Sequence, residues 1–242
     1  MSETFWPEGK RAALTISFDD SRYSQMANGI PILDKYGFKG TFYVMPQVVE
    51  ENLEEWKTAQ QNGHEIGNHT VTHPCSGNFK FSQHNALEEY SLERMEAELT
   101  DANEALHKLL GQTPQTFAYP CGQTYVGRGQ DTQSYVPLTA KHFLAARGFN
   151  GESSNAPTFC DLSQLIGIPA DVPELSVLEA RLESSLQQGH WLILAAHEVG
   201  TDKGQAISSQ ALEALCQYAQ IHSEVWLDTV ANIATYIKDK RS

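Results

Sequence analysis

Two apolar runs near opposite ends of the chain constrain its fold more than any other feature. The first is Ala12-Ala13-Leu14-Thr15-Ile16-Ser17-Phe18 and the second Trp191-Leu192-Ile193-Leu194-Ala195-Ala196. Each is a short stretch of apolar or β-prone residues and reads as a buried strand. Between and beyond them, strand and helix patterns alternate. Strands are predicted near 41–45, 64–67, 116–119, 148–150, 165–168 and 224–227. Helices are predicted near 25–36, 52–61, 86–110, 138–146, 175–188, 206–220 and 229–239. The long helix is the clearest: Leu92, Met95, Leu99, Ala102, Leu106 and Leu109 make one apolar stripe, and Gly111 and Pro114 stop it. Alternation of this kind implies an α/β fold with a mainly parallel sheet and helical crossovers. The 242 residues fit one α/β barrel, and no linker or repeat divides residues 1–242 into a second domain.

Both runs stop on residues that carry chemistry. Asp19-Asp20 follows the first. Two carboxylates at the end of a buried strand are costly unless something compensates them. One could bind a metal ion while the other stays near a water as general base; the alternative is a polar turn that happens to hold two acids. His197 closes the second run, either satisfied within the core or turned toward a site. His69 and His73 lie four apart, and on one helical turn they would share a face and could bind one ion. The alternative is two unrelated surface histidines. His64 is read only as the start of a strand. Phe117-Ala118-Tyr119-Pro120-Cys121-Gly122 is a short strand entering a Pro/Gly turn that would free backbone N–H groups to face a ligand.

Taken together and in this order, these four segments resemble the polysaccharide deacetylases, the family-four carbohydrate esterases with the NodB homology domain. The resemblance runs from about Ala12 to Tyr236. It implies a distorted (β/α) barrel and removal of acetyl groups from an acetylated carbohydrate. It makes Asp19 the base, and Asp20, His69 and His73 the ligands of one divalent ion, zinc before others. His197 becomes the acid that protonates the leaving group, and the Cys121 amide the support for the oxyanion. Two departures stand out. The family's third motif usually carries an arginine that pairs with the catalytic Asp, and the matching position here is Ala118. Arg22, Arg128 and Arg147 are candidates to replace it. The fourth motif usually supplies an Asp that tunes the catalytic histidine. Nothing between Arg147 and Asp161 matches cleanly, which leaves Glu152 and Asp161 as candidates. These gaps keep two rivals open: hydrolysis of a cyclic amide, ureide or formyl amide, and a catalytically weak carbohydrate-binding protein.

Candidate substrate contacts are Tyr119, Pro120 and Gly122 in the third motif, with Tyr125 and Tyr135 in the loop Gly122 to Pro137. These tyrosines either stack on a sugar ring or pin their loop to the barrel. The segment Cys75 to Asn85, with Phe79 and Phe81, is a second candidate wall.

A net charge of −13 without a basic stripe argues against nucleic-acid partners and favours a neutral or cationic glycan. No apolar run reaches the ~18–20 residues of a membrane span. MSETFWPEGK lacks the regions of a signal peptide. Cys75, Cys121, Cys160 and Cys216 form no zinc pattern and read as free thiols. The chain as given is therefore expected in the cytoplasm, or exported if a leader has been removed.

Overall fold

The structure is a computed structural model that describes residues 4–7, 9–171, 174–200 and 204–242. Its centre is an eight-stranded parallel sheet. In chain order the strands are β1 (Ala12–Phe18), β2 (Thr41–Val44), β3 (Glu65–Asn68), β4 (Thr116–Ala118), β5 (Ala145–Arg147), β6 (Ile168–Pro169), β7 (Trp191–Ala196) and β8 (Val225–Leu227). They are ordered β5-β4-β3-β2-β1-β7-β6, and β8 also pairs with β1. The lower half of β1, Ala12 to Leu14, pairs with β8, and its upper end, Ser17 and Phe18, pairs with β2. Beyond the ends of that path, Arg147 bridges Leu165 on the segment entering β6. Leu165 N–H donates to Ala146 O at 2.9 Å and Gly148 N–H to Leu165 O at 2.8 Å. The sheet thus curls into the expected distorted (β/α) barrel, closed on one side by only a few bonds.

Every residue of β1 is buried, as a parallel strand covered on both faces requires. Leu14, Ile16 and Phe18 enter the cluster shared with Leu33, Trp56, Leu182 and Leu212 of the surrounding helices. Ala13 joins Tyr43, Ala118, Trp191 and Ile193 in a second cluster. Thr15 and Ser17 on that same face are buried polar residues and are satisfied. Thr15 Oγ1 accepts from Trp191 Nε1 at 3.0 Å and donates to Asp228 O at 2.8 Å, while Ser17 Oγ donates to Leu194 O at 2.8 Å. The next residue on this face is Asp19.

The longest helix, α1 (Leu92–Leu110), buries Met95, Leu99, Ala102 and Leu106, as its stripe predicts. It begins later than the sequence pattern indicates. Ser91 caps it by accepting from Arg94 N–H, and Leu87–Glu89 before it form a separate 3-10 turn. Gly111 ends it in the left-handed conformation, φ 76°. A second correction bears on the site: the strand expected at 148–150 lies at Ala145–Arg147, and the helix before it stops at His142.

Candidate active site

The candidate residues follow the C-terminal ends of the parallel strands, where such barrels place their chemistry. Asp19 and Asp20 follow β1, His69 follows β3, and His197 follows β7. They meet at a cavity of about 330 Å³ lined by Asp19, Asp20, His69, His73, Cys121 and His197, with Met45, Phe79, Phe81, Phe149, Asn150 and Gln205. A larger hollow, about 460 Å³, sits at the opposite end of the sheet beside His64 and Glu65. Glu65 is occupied there by Thr41, Thr116 and the Ala231 N–H, and that hollow gathers no comparable set of side chains. His64, just before β3, accepts from Gly40 N–H and faces Asp34.

Asp20, His69 and His73 converge. Their ligand atoms lie within 4.8 Å of one another, and Asp20 Oδ1 is 3.5 Å from His69 Nε2 and 3.3 Å from His73 Nε2. The helical turn expected to align the two histidines is absent. A loop brings them together instead, with Thr70 at φ 67° and His73 at φ 51°. Such left-handed backbone is costly for residues other than glycine and must be held by its surroundings. Glu98 of α1 holds it: its carboxylate accepts from Val71 N–H at 3.0 Å, Thr72 N–H at 2.9 Å and the Thr72 hydroxyl at 2.5 Å. Asn68 accepts from Thr70 N–H at 2.7 Å, and Thr70 Oγ1 accepts from His73 N–H at 2.9 Å. His69 Nδ1 lies 2.9 Å from Ala118 O; donation there fixes the tautomer and leaves Nε2 free to face Asp20. Burial and the neighbouring His69 push the pKa of His73 down to about 4, so it stays neutral. Burial raises the pKa of Asp20, but the three histidines around it outweigh that and hold it anionic. One carboxylate and two imidazoles are a donor set suited to a divalent ion.

Arg147 stands beside Asp19. Its Nη2 donates to Asp19 Oδ1 and its Nε to Ser17 Oγ at 3.2 Å. Both partners are buried. Burial alone would raise the Asp19 pKa, but Arg147, His69 and His197 together keep it below the ordinary carboxylate range. The other two candidates are engaged elsewhere: Arg22 pairs with Asp20 Oδ2 at 3.0 Å, and Arg128 with Glu89. Ala118 and Arg147 are register partners on adjacent strands. The guanidinium therefore enters at the level of position 118 from one strand further along.

His197 is held by Asp171, a residue that sequence reasoning missed. Asp171 Oδ2 is 2.6 Å from His197 Nδ1, and Oδ1 accepts the His197 backbone N–H at 3.0 Å. Burial lowers the His197 pKa, but Asp171, followed by Asp19 and Asp20, raises it further than burial lowers it. Neither earlier candidate reaches this histidine. Asp161 accepts from Ser163 N–H and Gln164, and the Glu152 backbone carbonyl accepts from Arg181. Asp171 lies just past β6, and an acid after a predicted strand end was the signal available for it. Gln25, also missed, is buried and donates to the carbonyls of Asp19 at 2.5 Å and His197 at 2.7 Å, tying the two strand ends together.

The third-motif turn places Cys121, φ 53°, on the cavity wall. Gly122, φ 69°, packs so closely under Phe149 that a Cβ would lie 2.8 Å from Phe149 N. Tyr119, Pro120, Gly122, Tyr125 and Tyr135 do not line the cavity. Tyr119 and Tyr135 are buried and tether backbone: their hydroxyls donate to Ser163 O at 2.7 Å and Gln123 O at 2.5 Å. The loop they serve contains a small hairpin, Tyr125–Val126 with Gln133–Ser134. The aromatic wall comes from the other loop, where Phe79 and Phe81 are 42% and 57% exposed with ring centroids 5.4 Å apart. The expectation of four free thiols is corrected. Cys75 and Cys121 form a disulfide, with Cα atoms 6.1 Å apart, and Cys160 and Cys216 are free. The expectation of the cytoplasm loses the support that four free thiols gave it. Among the described residues no helix is long and apolar enough to cross a membrane.

The chain is similar along 146 residues to a gellan lyase of Bacillus sp, at 28% identity over 60% of this chain and 5% of the relative. It is 31% identical to the protein YlxY of Bacillus subtilis (strain 168) over 38% of this chain and 26% of YlxY. It therefore spans only a small part of the length of these curated relatives. Among solved structures, a protein from Mycobacterium smegmatis assigned as a polysaccharide deacetylase superposes with TM-score 0.69 at 16% identity, covering 98% of this chain and 93% of the other. The family model for polysaccharide deacetylases matches residues 7–135, just over half of the chain. With the barrel and the order of its site residues, that match shows that the chain belongs to the polysaccharide deacetylase family.

Proposed function

We propose that this protein is a metal-dependent hydrolase that removes acetyl groups from an acetylated carbohydrate, with an N-acetylated amino sugar as the first class to test. One observation supports this above the others: the donor set Asp20, His69 and His73 lines one cavity together with Asp19 and His197, which are backed by Arg147 and Asp171. Asp20, His69 and His73 would hold the ion, zinc in the first instance. Such an ion lowers the pKa of a water toward ~7 and polarises a carbonyl.

The protein's own groups divide the remaining work. Asp19, anionic beside Arg147, accepts the proton of the attacking water. The Cys121 amide supports the oxygen on which charge develops. His197, whose protonated form Asp171 favours, delivers a proton to the departing nitrogen or oxygen. An amine is the poorer leaving group and depends more on that proton, which favours the amide. The exposed rings of Phe79 and Phe81 offer apolar surface for the sugar beside the cavity. The two gaps that kept other readings open, at Ala118 and in the fourth motif, are filled by Arg147 and Asp171.

The test is acetate release by zinc-loaded protein from N-acetylglucosamine oligomers and from acetylated xylan, with chelated protein as the blank. Release that disappears with chelation is the expected result. No release from either, with zinc shown to be bound, would overturn the proposal and move attention to cyclic and formyl amides.

A further inference from the structure

The Cys75–Cys121 disulfide closes one wall of the cavity and touches two parts of the site at once. Cys75 lies two residues beyond His73, and Cys121 is the turn residue whose amide is assigned to the oxyanion. His73 faces both ways. Its Nε2 is 3.3 Å from Asp20 Oδ1, and its Nδ1 is 3.7 Å from Cys75 Sγ. The two sulfurs and a ring nitrogen of His73 lie within 4.8 Å of one another. Disulfide sulfurs are poor metal ligands, whereas thiolates are among the strongest for zinc and cadmium.

We infer that His73, Cys75 and Cys121 form a latent second metal site, present only when the disulfide is reduced, that competes for His73 with the Asp20–His69–His73 set. The inference rests on the reading of that set as the resident metal site. The geometry supports it in three ways. Cys121 lines the cavity, so a small reductant can reach the bond. Ser76 N–H donates to Gln123 Oε1 at 2.8 Å, a second link between the same two segments that survives reduction and keeps the thiols adjacent. Cys75 is also anchored independently of the disulfide, through Ser82 to its N–H at 2.9 Å and Leu87 to its carbonyl at 3.0 Å.

The redox step balances with a dithiol: two electrons and two protons pass to Cys75 and Cys121, and the dithiol becomes a disulfide. The two thiols lose their protons when they bind the ion. His73 is then shared with sulfur, and the Asp20–His69 pair is left one ligand short. The disulfide would keep His73 committed to the catalytic set, and reduction would lower activity through the metal rather than through unfolding.

The experiment uses the full chain. Thiol titration after denaturation should find two thiols in the oxidised protein, Cys160 and Cys216, and four after reduction. A phosphine serves as reductant, because it leaves as its oxide with oxygen taken from water and is removed by desalting under argon. Cadmium is then titrated into both forms. The reduced protein should develop a thiolate-to-cadmium ultraviolet band, and the oxidised protein should show none. His73→Ala should weaken the cadmium affinity of the reduced protein about tenfold or more. The Cys75→Ser/Cys121→Ser variant, with its fold checked by circular dichroism, should show no band in either state. If that variant does not fold, reduced protein alkylated with iodoacetamide takes its place. Four thiols without reduction, no band after reduction, or a band and affinity indifferent to His73→Ala would each overturn the inference. Zinc affinity of the oxidised protein, measured against a chromophoric chelator, tests the Asp20–His69–His73 reading separately.

Discussion

Asp19 and Asp20 are adjacent in sequence and are asked to do different work, and their surroundings separate them. Asp20 faces two imidazole Nε2 atoms, whereas Asp19 is buried against a guanidinium. Asp20→Ala should abolish zinc binding and turnover together. Asp19→Asn should keep the metal and lose turnover by about 10²–10⁴-fold. Zinc content and acetate release on the same preparations distinguish the two; near-normal turnover in the Asp19 variant would remove it as the base. His197 and Asp171 give a pH prediction. Asp171 raises the His197 pKa, and the acid works only while protonated, so activity is lost as pH rises through that value. Asp171→Asn should lower the His197 pKa and shift the basic limb of the kcat/KM profile to lower pH. An unmoved basic limb would mean that another group sets it.

At the scale of elements, the loop between His69 and His73 depends on a helix far away in sequence. Glu98, on the inward face of α1, satisfies two backbone N–H groups and a hydroxyl of that loop. Removing the carboxylate deprives those partly buried bonds of their charged acceptor, at a cost of about 2 kcal/mol. Glu98→Ala should therefore lower Tm by about 4–8 °C for a chain of this size and weaken zinc binding. Glu98→Gln keeps one acceptor and should do less of both. Wild-type zinc affinity in the alanine variant would mean that the loop holds its shape unaided. What the sequence made legible divides along the same line. Asp19, Asp20, His69 and His197 are readable because each lies within about two residues of the end of a strand that its own local pattern announces. Arg147 was among the candidates, yet its strand was placed three residues late, because Ala145-Ala146 suit a helix as well as a buried strand and only tertiary pairing decides. Asp171 and the Cys75–Cys121 pair depend on contacts across 26 and 46 residues, which local patterns do not carry.

At the scale of the whole molecule, the barrel brings different strands to one level, so a charge need not come from a particular strand. Ala118 and Arg147 are partners in the β4–β5 register, and the cation that the family usually places at the first arrives from the second. Asp19 needs it in either case. Arg147→Ala would leave a buried carboxylate without its partner, at a cost of about 3–5 kcal/mol in stability, and should reduce activity sharply. If the barrel specifies the height of the charge rather than its strand, Ala118→Arg should recover part of that loss when combined with Arg147→Ala. The methyl group of Ala118 is fully buried, and the space for a guanidinium there is the space that Arg147 vacates. Ala118→Arg alone should therefore destabilise by overpacking and by placing two cations against one carboxylate. The opposite signs of the same substitution in the two backgrounds are the measurement, read as a double-mutant cycle in both Tm and acetate release. A double variant no better than Arg147→Ala would show that Asp19 requires the direction from which Arg147 approaches, together with its bond to Ser17, and not only a positive charge at that level of the barrel.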